Sequence, residues 1–156
     1  MSTEQGKGHK MKYFKRLKQY KASNVLFDIE TERAYSYGHW CFFKDGVFNN
    51  TTYSSSTSQH QSKMHTLLRE LGIQTILTLS HTTYNLNGNI TIAIDEERKA
   101  LIKNIHEPQL KLNALKKKDG SRGKLYQSQV ETAYRLFHEF CDDAITYYAN
   151  LNKKAA

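Results

Sequence analysis

YSYGHWCFFKDGVFNNTTYSSSTSQHQSKMHTLLREL, residues Tyr35 to Leu71, is the stretch on which the fold turns. It begins inside a run from Ala34 to Phe43 where Tyr35, Tyr37, His39, Cys41 and Phe43 alternate with Ser36, Gly38, Trp40 and Phe42. That period of two predicts a strand, and because both faces turn apolar towards its end, a central one. Lys44-Asp45-Gly46 predicts a tight hairpin, since Gly, and Asp to a lesser degree, tolerates the positive φ such turns need. Val47 to Tyr53 then returns antiparallel, with Thr and Tyr at suitable strand positions. The cluster Ser54 to Ser58 opens a helix whose core stripe is His60, Met64, Leu67, Leu68 and Leu71. Thr57 or Ser58 is the expected N-cap and Gly72 the C′ residue.

Upstream, Asn24 to Ile29 reads as a strand and Glu30 to Arg33 as a turn. Tyr13 to Tyr20 places Tyr13, Leu17 and Tyr20 at helical spacing with cations between, which reads as a short helix or as the base of a nucleic-acid-binding arm. Met1 to Met11, with Gly6, Gly8 and little that is apolar, is expected to be a mobile arm. Downstream, Ile73 to Ser80 reads as a strand, Asn87-Gly88 as a second hairpin turn and Ile90 to Ile94 as an alternating strand. Asp95-Glu96-Glu97 opens a helix with Ala100, Leu101 and Ile105 buried, and Pro108 starts another that ends near Leu115. Ser128 and Glu131 form a capping-box pattern, after which Val130, Ala133, Tyr134, Phe137, Phe140, Cys141, Ala144, Ile145, Tyr148 and Leu151 repeat at helical spacing. The expected fold class is therefore α+β: a small antiparallel sheet of about 4–5 strands packed by helices, with a long C-terminal helix over about 128–152. A basic arm over 1–22 precedes a single domain over 23–156.

At 156 residues the chain has the size of one domain. Its 38% hydrophobic content is below the usual 45–50% or so, and ten Tyr, seven Phe and Trp40 supply large apolar areas in compensation. The formal charge of +8 is concentrated in two places. Seven Lys/Arg stand against Glu4 alone in 1–22, and six against Asp119 alone in 111–124. Basic charge carried by an arm and a loop on a mildly acidic body suits a polyanion, a nucleic-acid backbone above all. The candidate nucleic-acid contacts are Lys10, Lys12, Lys15, Arg16 and Lys18 in the arm, and Lys116, Lys117, Lys118, Arg122 and Lys124 in the loop.

Ser56, Thr57, Ser58 and His60 form a candidate anion site, because a helix start presents free N–H groups and a positive dipole end and the hydroxyls add donors. No metal, cofactor or catalytic site is expected. His60 and His65 are five apart and diverge around a helix, and Cys41 and Cys141 are 100 residues apart. Phosphate-binding, dinucleotide and serine-hydrolase motifs are missing from the sequence, and Asp95 to Glu97 is accounted for by capping. With no signal-like or membrane-length apolar run, the expectation is a soluble protein of the cytoplasm. Tyr35 and Tyr37 are the ring side chains expected nearest to solvent.

The segment YSYG…DG…NNTTYSSSTSQHQSK, about 30 residues, resembles one that recurs in small uncharacterised proteins of bacteriophages and related mobile elements. The resemblance implies two strands followed by a Ser/Thr-rich turn and a His-Gln helix start, and an accessory role in the host cytoplasm; it carries no activity. Two functional classes follow. In the first, an accessory protein binds nucleic acid through the arm, the Lys116–Lys124 loop and the helix start. In the second, a regulator or inhibitor docks on a host protein through its C-terminal helix, or forms a homodimer there.

Overall fold

The computed structural model describes residues 11–15 and 18–155, so Lys10 and Arg16 lie outside the described residues. The chain forms two compact units, Met1–Ala93 and Ile94–Ala156. The first holds β1 (Lys12–Phe14), β2 (Gln19–Ala22), β3 (Val25–Asp28), β4 (Arg33–Ser36), β5 (Trp40–Lys44), β6 (Val47–Asn49), α1 (Ser55–Leu71) and β7 (Leu77–Leu79). They make one seven-stranded sheet in chain order, antiparallel from β1 to β6, with β7 parallel to β6 after the α1 crossover. The class is the expected α+β; the strand count is higher.

Three strands are gained where the sequence reads differently, and one expected strand, over 90–94, is lost. Lys12–Phe14 and Gln19–Ala22, within the expected arm, form the hairpin β1–β2 and not a short helix, with Tyr13 opposite Tyr20 and their rings edge to face at 4.7 Å. Nor is Ala34–Phe43 a single strand. Tyr37 and Gly38 both take positive φ, 55° and 79°, and fold it into the hairpin β4–β5. All five hairpin connections contain such residues: Lys18, the pair Ser23-Asn24, Glu32, Tyr37-Gly38 and the expected Asp45-Gly46. These are the turn conformations that match the right-handed twist of the paired strands.

A β-bulge between Ala34 and Tyr35 on one strand and Phe43 and Cys41 on the other leaves Phe42 without a partner in the ladder. It explains how three consecutive residues, Cys41, Phe42 and Phe43, are all buried. Phe42 joins Val25, Phe27, Ala34, Phe43 and Phe48 on the core side, where Met64, Leu67 and Leu68 of α1 cover them. Each large apolar side chain buried here contributes about 1.5–3 kcal/mol. His65 stacks on Phe48 at 3.8 Å between ring centroids, fixing α1 to β6, beside the edge strand β7.

Helix α1 carries the expected stripe and ends at Gly72 in the left-handed conformation. Its N-cap is Ser54, three or four residues earlier than the sequence suggests, and Ser54 and Thr57 form a reciprocal capping box. The second unit consists of α2 (Ile90–Ala114) from Ile94 on and α3 (Ser121–Ala155). Ile90–Ile94 is therefore helix rather than strand. Pro108 lies inside α2 instead of opening a new helix, so the carbonyl of Asn104 has no partner at the usual position. Helix α3 runs 35 residues and absorbs Ser128 and Glu131 in its interior. Arg122 and Lys124 consequently sit on its first turn, and the connection from α2 shrinks to 115–120.

Candidate nucleic-acid interface

Cross-strand register assigns the sheet's faces, because directly opposed residues share a side and alternate residues do not. The row Tyr20, Phe27, Ala34, Phe43 and Phe48 looks towards α1. On the opposite side lie two rows, Lys12–Lys21–Leu26–Tyr35 and Phe14–Gln19–Asp28–Arg33. Lys12, Phe14 and Lys21 are exposed, with Phe14 44% accessible, and the rest are half-buried. Arg33 Nη1 and the Tyr35 hydroxyl both donate to Asn87 Oδ1, at 3.3 and 3.4 Å, while Arg33 Nε is buried without a partner among the described residues. Asp28 accepts from the Glu30 N–H at 3.0 Å and so spends part of its charge on its own turn.

The two lysines in the first row stand directly opposite one another. Like charges in that arrangement cost stability, about 0.2–1 kcal/mol for a close cross-strand pair. Of the expected arm contacts, Lys12 is on this face, Lys15 lies in the β1–β2 turn, and Lys18 pairs with Glu30 at 2.8 Å. That hydrogen bond and the carboxylate's charge raise the Lys18 pKa above the ordinary lysine value. Lys116, Lys117, Lys118, Arg122 and Lys124 are all exposed in the second unit, with Lys118 Nζ donating to the Leu115 carbonyl. Gly123 is required beside them: a Cβ there would collide with the backbone of Lys118. The sequence does not single out Lys21, Arg33 and Phe14: Tyr13–Tyr20 reads either as a short helix or as the base of an arm, which hides the pairing of 12–14 with 19–21, and Arg33 falls in an expected turn.

The expected anion site at the start of α1 has another construction. Thr57 is buried, its Oγ1 donating to the Ser54 carbonyl and accepting from the Ser54 N–H. His60 is buried as well, with Nδ1 2.7 Å from Ser36 Oγ and Nε2 3.0 Å from the Ser23 carbonyl. A carbonyl accepts only, so Nε2 carries the proton and Ser36 donates to Nδ1. Burial lowers the His60 pKa, against the Ser23 hydrogen bond, so the ring is neutral at pH 7. Thr57 and His60 are thus internal fasteners rather than anion ligands. Ser56 remains exposed and Ser58 half-buried.

In front of these fasteners is a cleft of about 220 Å³. Its lining includes the ring residues Tyr37, His39, Trp40 and Tyr53, together with Ser54 and Thr83. Tyr53, 65% exposed, stacks on Trp40 at 5.8 Å and Trp40 on Phe42 at 5.9 Å, so a column of three rings runs from solvent to core. Trp40 Nε1 donates to the Thr83 carbonyl at 3.0 Å, and the Tyr37 ring meets His60 edge on at 5.2 Å. Tyr37 is exposed, as the sequence suggests, whereas Tyr35 is half-buried like Trp40.

Comparison of the chain with protein-family models, curated proteins and solved structures returns no match. Among the described residues no group of three or more His, Cys, Asp or Glu is placed to hold a metal ion. No helix among them is long and apolar enough to cross a membrane.

Proposed function

We propose that the chain is an accessory protein, of bacteriophage or mobile-element type, that binds single-stranded nucleic acid across the open face of β1–β4. The directly opposed pair Lys12 and Lys21 carries this reading. Repulsion between them is relieved when a phosphate lies between, so the free protein holds a charge arrangement that an anionic strand stabilises. Phe14 and Tyr35 on the same face give bases a surface to stack on. The exposed cations Lys116, Lys117, Lys118, Arg122 and Lys124 supply further backbone contacts from the second unit. The test is fluorescence anisotropy with labelled single-stranded oligonucleotides at several salt concentrations. Submicromolar affinity that falls steeply with salt is expected; no binding at low salt refutes it.

A second reading rests on α3. Tyr134, Ile145 and Tyr148 are exposed on it, Ile145 to 67%, at intervals that bring them to one side of the helix. Such a stripe suits a host protein that the chain would regulate or inhibit, or a second copy of the chain. Changing Lys116, Lys117 and Lys118 together to Glu separates the readings. It weakens nucleic-acid binding and makes its salt dependence shallower under the first, and leaves a protein complex intact under the second.

A further inference from the structure

We infer that the cleft between Tyr37 and Tyr53 is a nucleobase site, taking a single planar, neutral heterocycle stacked against the Tyr53–Trp40–Phe42 column.

Three observations converge on that ligand class. The first is shape. At about 220 Å³ the cleft is smaller than the 300–1,000 Å³ or so typical of drug-sized ligands, and two of its wall residues are flat rings already stacked on one another. The second is charge. Among the described residues no Lys, Arg, Asp or Glu lines the cleft and His39 is its one titratable side chain at the rim, so a phosphate or carboxylate would enter without a fixed counter-charge, whereas an uncharged base meets no such penalty. The third is polarity at the floor. Ser36 is buried and spends its proton on His60, while the exposed Ser54 accepts from the Thr57 N–H through Oγ and keeps a lone pair that receives a hydrogen bond from the edge of a base.

The site is also preorganised. His60 is held at both ring nitrogens, Trp40 by Thr83, and Ser54 by the capping box, so these groups lose little freedom when a ligand arrives. Tyr37, held at positive φ in the β4–β5 turn, is exposed on the rim. A base could come from a strand lying on the protein or from a free nucleotide. The strand as source rests on the function proposed above, while the base chemistry of the cleft does not.

Trp40 is the chain's single tryptophan, so its emission reports on this cleft directly. The full chain is titrated with adenosine and uridine monophosphates, with a short single-stranded oligonucleotide, and with ribose 5-phosphate as the baseless control, while anisotropy follows the labelled oligonucleotide in parallel. Saturable quenching by the oligonucleotide alone supports the site with the base drawn from a strand. Quenching by the monophosphates as well supports it with free nucleotides as ligands. Oligonucleotide binding by anisotropy with Trp40 emission unchanged overturns the cleft assignment and leaves the sheet-face reading standing. Silence in both channels overturns both. Tyr53→Ala, at an exposed position where the fold does not depend on the ring, is expected to weaken the quenching ligand by about 5- to 150-fold, the range of one lost stacking contact, with Tyr53→Phe close to the parent. Equal affinity for Tyr53→Ala and the parent also overturns the proposal.

Discussion

Replacing Lys12 and Lys21 together by Gln moves stability and binding in opposite directions. The two side chains are exposed and directly opposed on β1 and β2, so removing both charges deletes a repulsion and no ion pair among those described. Stability is expected to stay level or rise by up to about 1 kcal/mol, read as the midpoint of urea unfolding. Binding is expected to lose two phosphate contacts. At about 0.7 released counterions per contact on a single strand, the slope of log K against log salt becomes shallower by about 1.4. Between about 50 and 200 mM salt the variant should therefore lose roughly sevenfold less affinity than the parent over the same interval. Anisotropy at four or five salt concentrations measures the slope directly. Glu30→Gln provides an internal check: it frees Lys18 from its 2.8 Å partner and is expected to steepen the slope by up to about 0.7. An unchanged slope in the double variant refutes the assignment of the sheet face, and a fall in stability refutes the repulsion that underlies it.

Three further outcomes follow from the same contacts. Ser54→Ala removes the acceptor for the Thr57 N–H and half of the capping box, with an expected cost of about 0.5–2 kcal/mol in chemical denaturation. His60 and His65 both have pKa values lowered by burial, so the unfolded chain binds more protons at mildly acidic pH than the native one. Stability is therefore expected to fall as pH drops from about 6.5 towards the depressed native values, and His60→Gln should flatten part of that dependence. The Gly123→Ala variant forces a Cβ into the Lys118 backbone and is expected to lower the helicity and melting temperature of the second unit, seen by circular dichroism.

What the sequence disclosed depended on whether a local signal had one physical solution. Asp45-Gly46 has one, and the hairpin is where it should be; the stripe from His60 to Leu71 closed by Gly72 also has one. Ser23-Asn24 and Tyr37-Gly38 take the same positive-φ turns from residues that commonly do other things, so the turn at 37–38 was hidden inside an apparent strand. The segment Ile90–Ile94 alternates like a strand yet forms the first turns of α2, with Ala93 and Ile94 buried and Ile92 exposed. Five residues are too few for period to decide, and the surrounding chain settles the matter. For the site, Lys12 was named from composition, but its partnership with Lys21 required the register. The rings of Trp40 and Tyr53 lie 13 residues apart in sequence and meet only because β6 and the turn into α1 bring them together.

The order of strands along the sheet also bears on how the protein is made. From β1 to β6 every pairing joins neighbours in the chain through a short turn; β7 alone needs the α1 crossover. Local pairings lose little loop entropy and form early, whereas the β6–β7 pairing closes a long loop and forms late. A ribosome releasing the chain from its N-terminus therefore exposes six strands able to zip up before α1 has emerged to cover Phe27, Phe43 and Phe48. For that interval the apolar side of the sheet is open to water. Ser54 and Thr57, which start the helix that closes it, then set how long the nascent chain is vulnerable to aggregation, and Ser54→Ala is expected to slow refolding as well as lower stability.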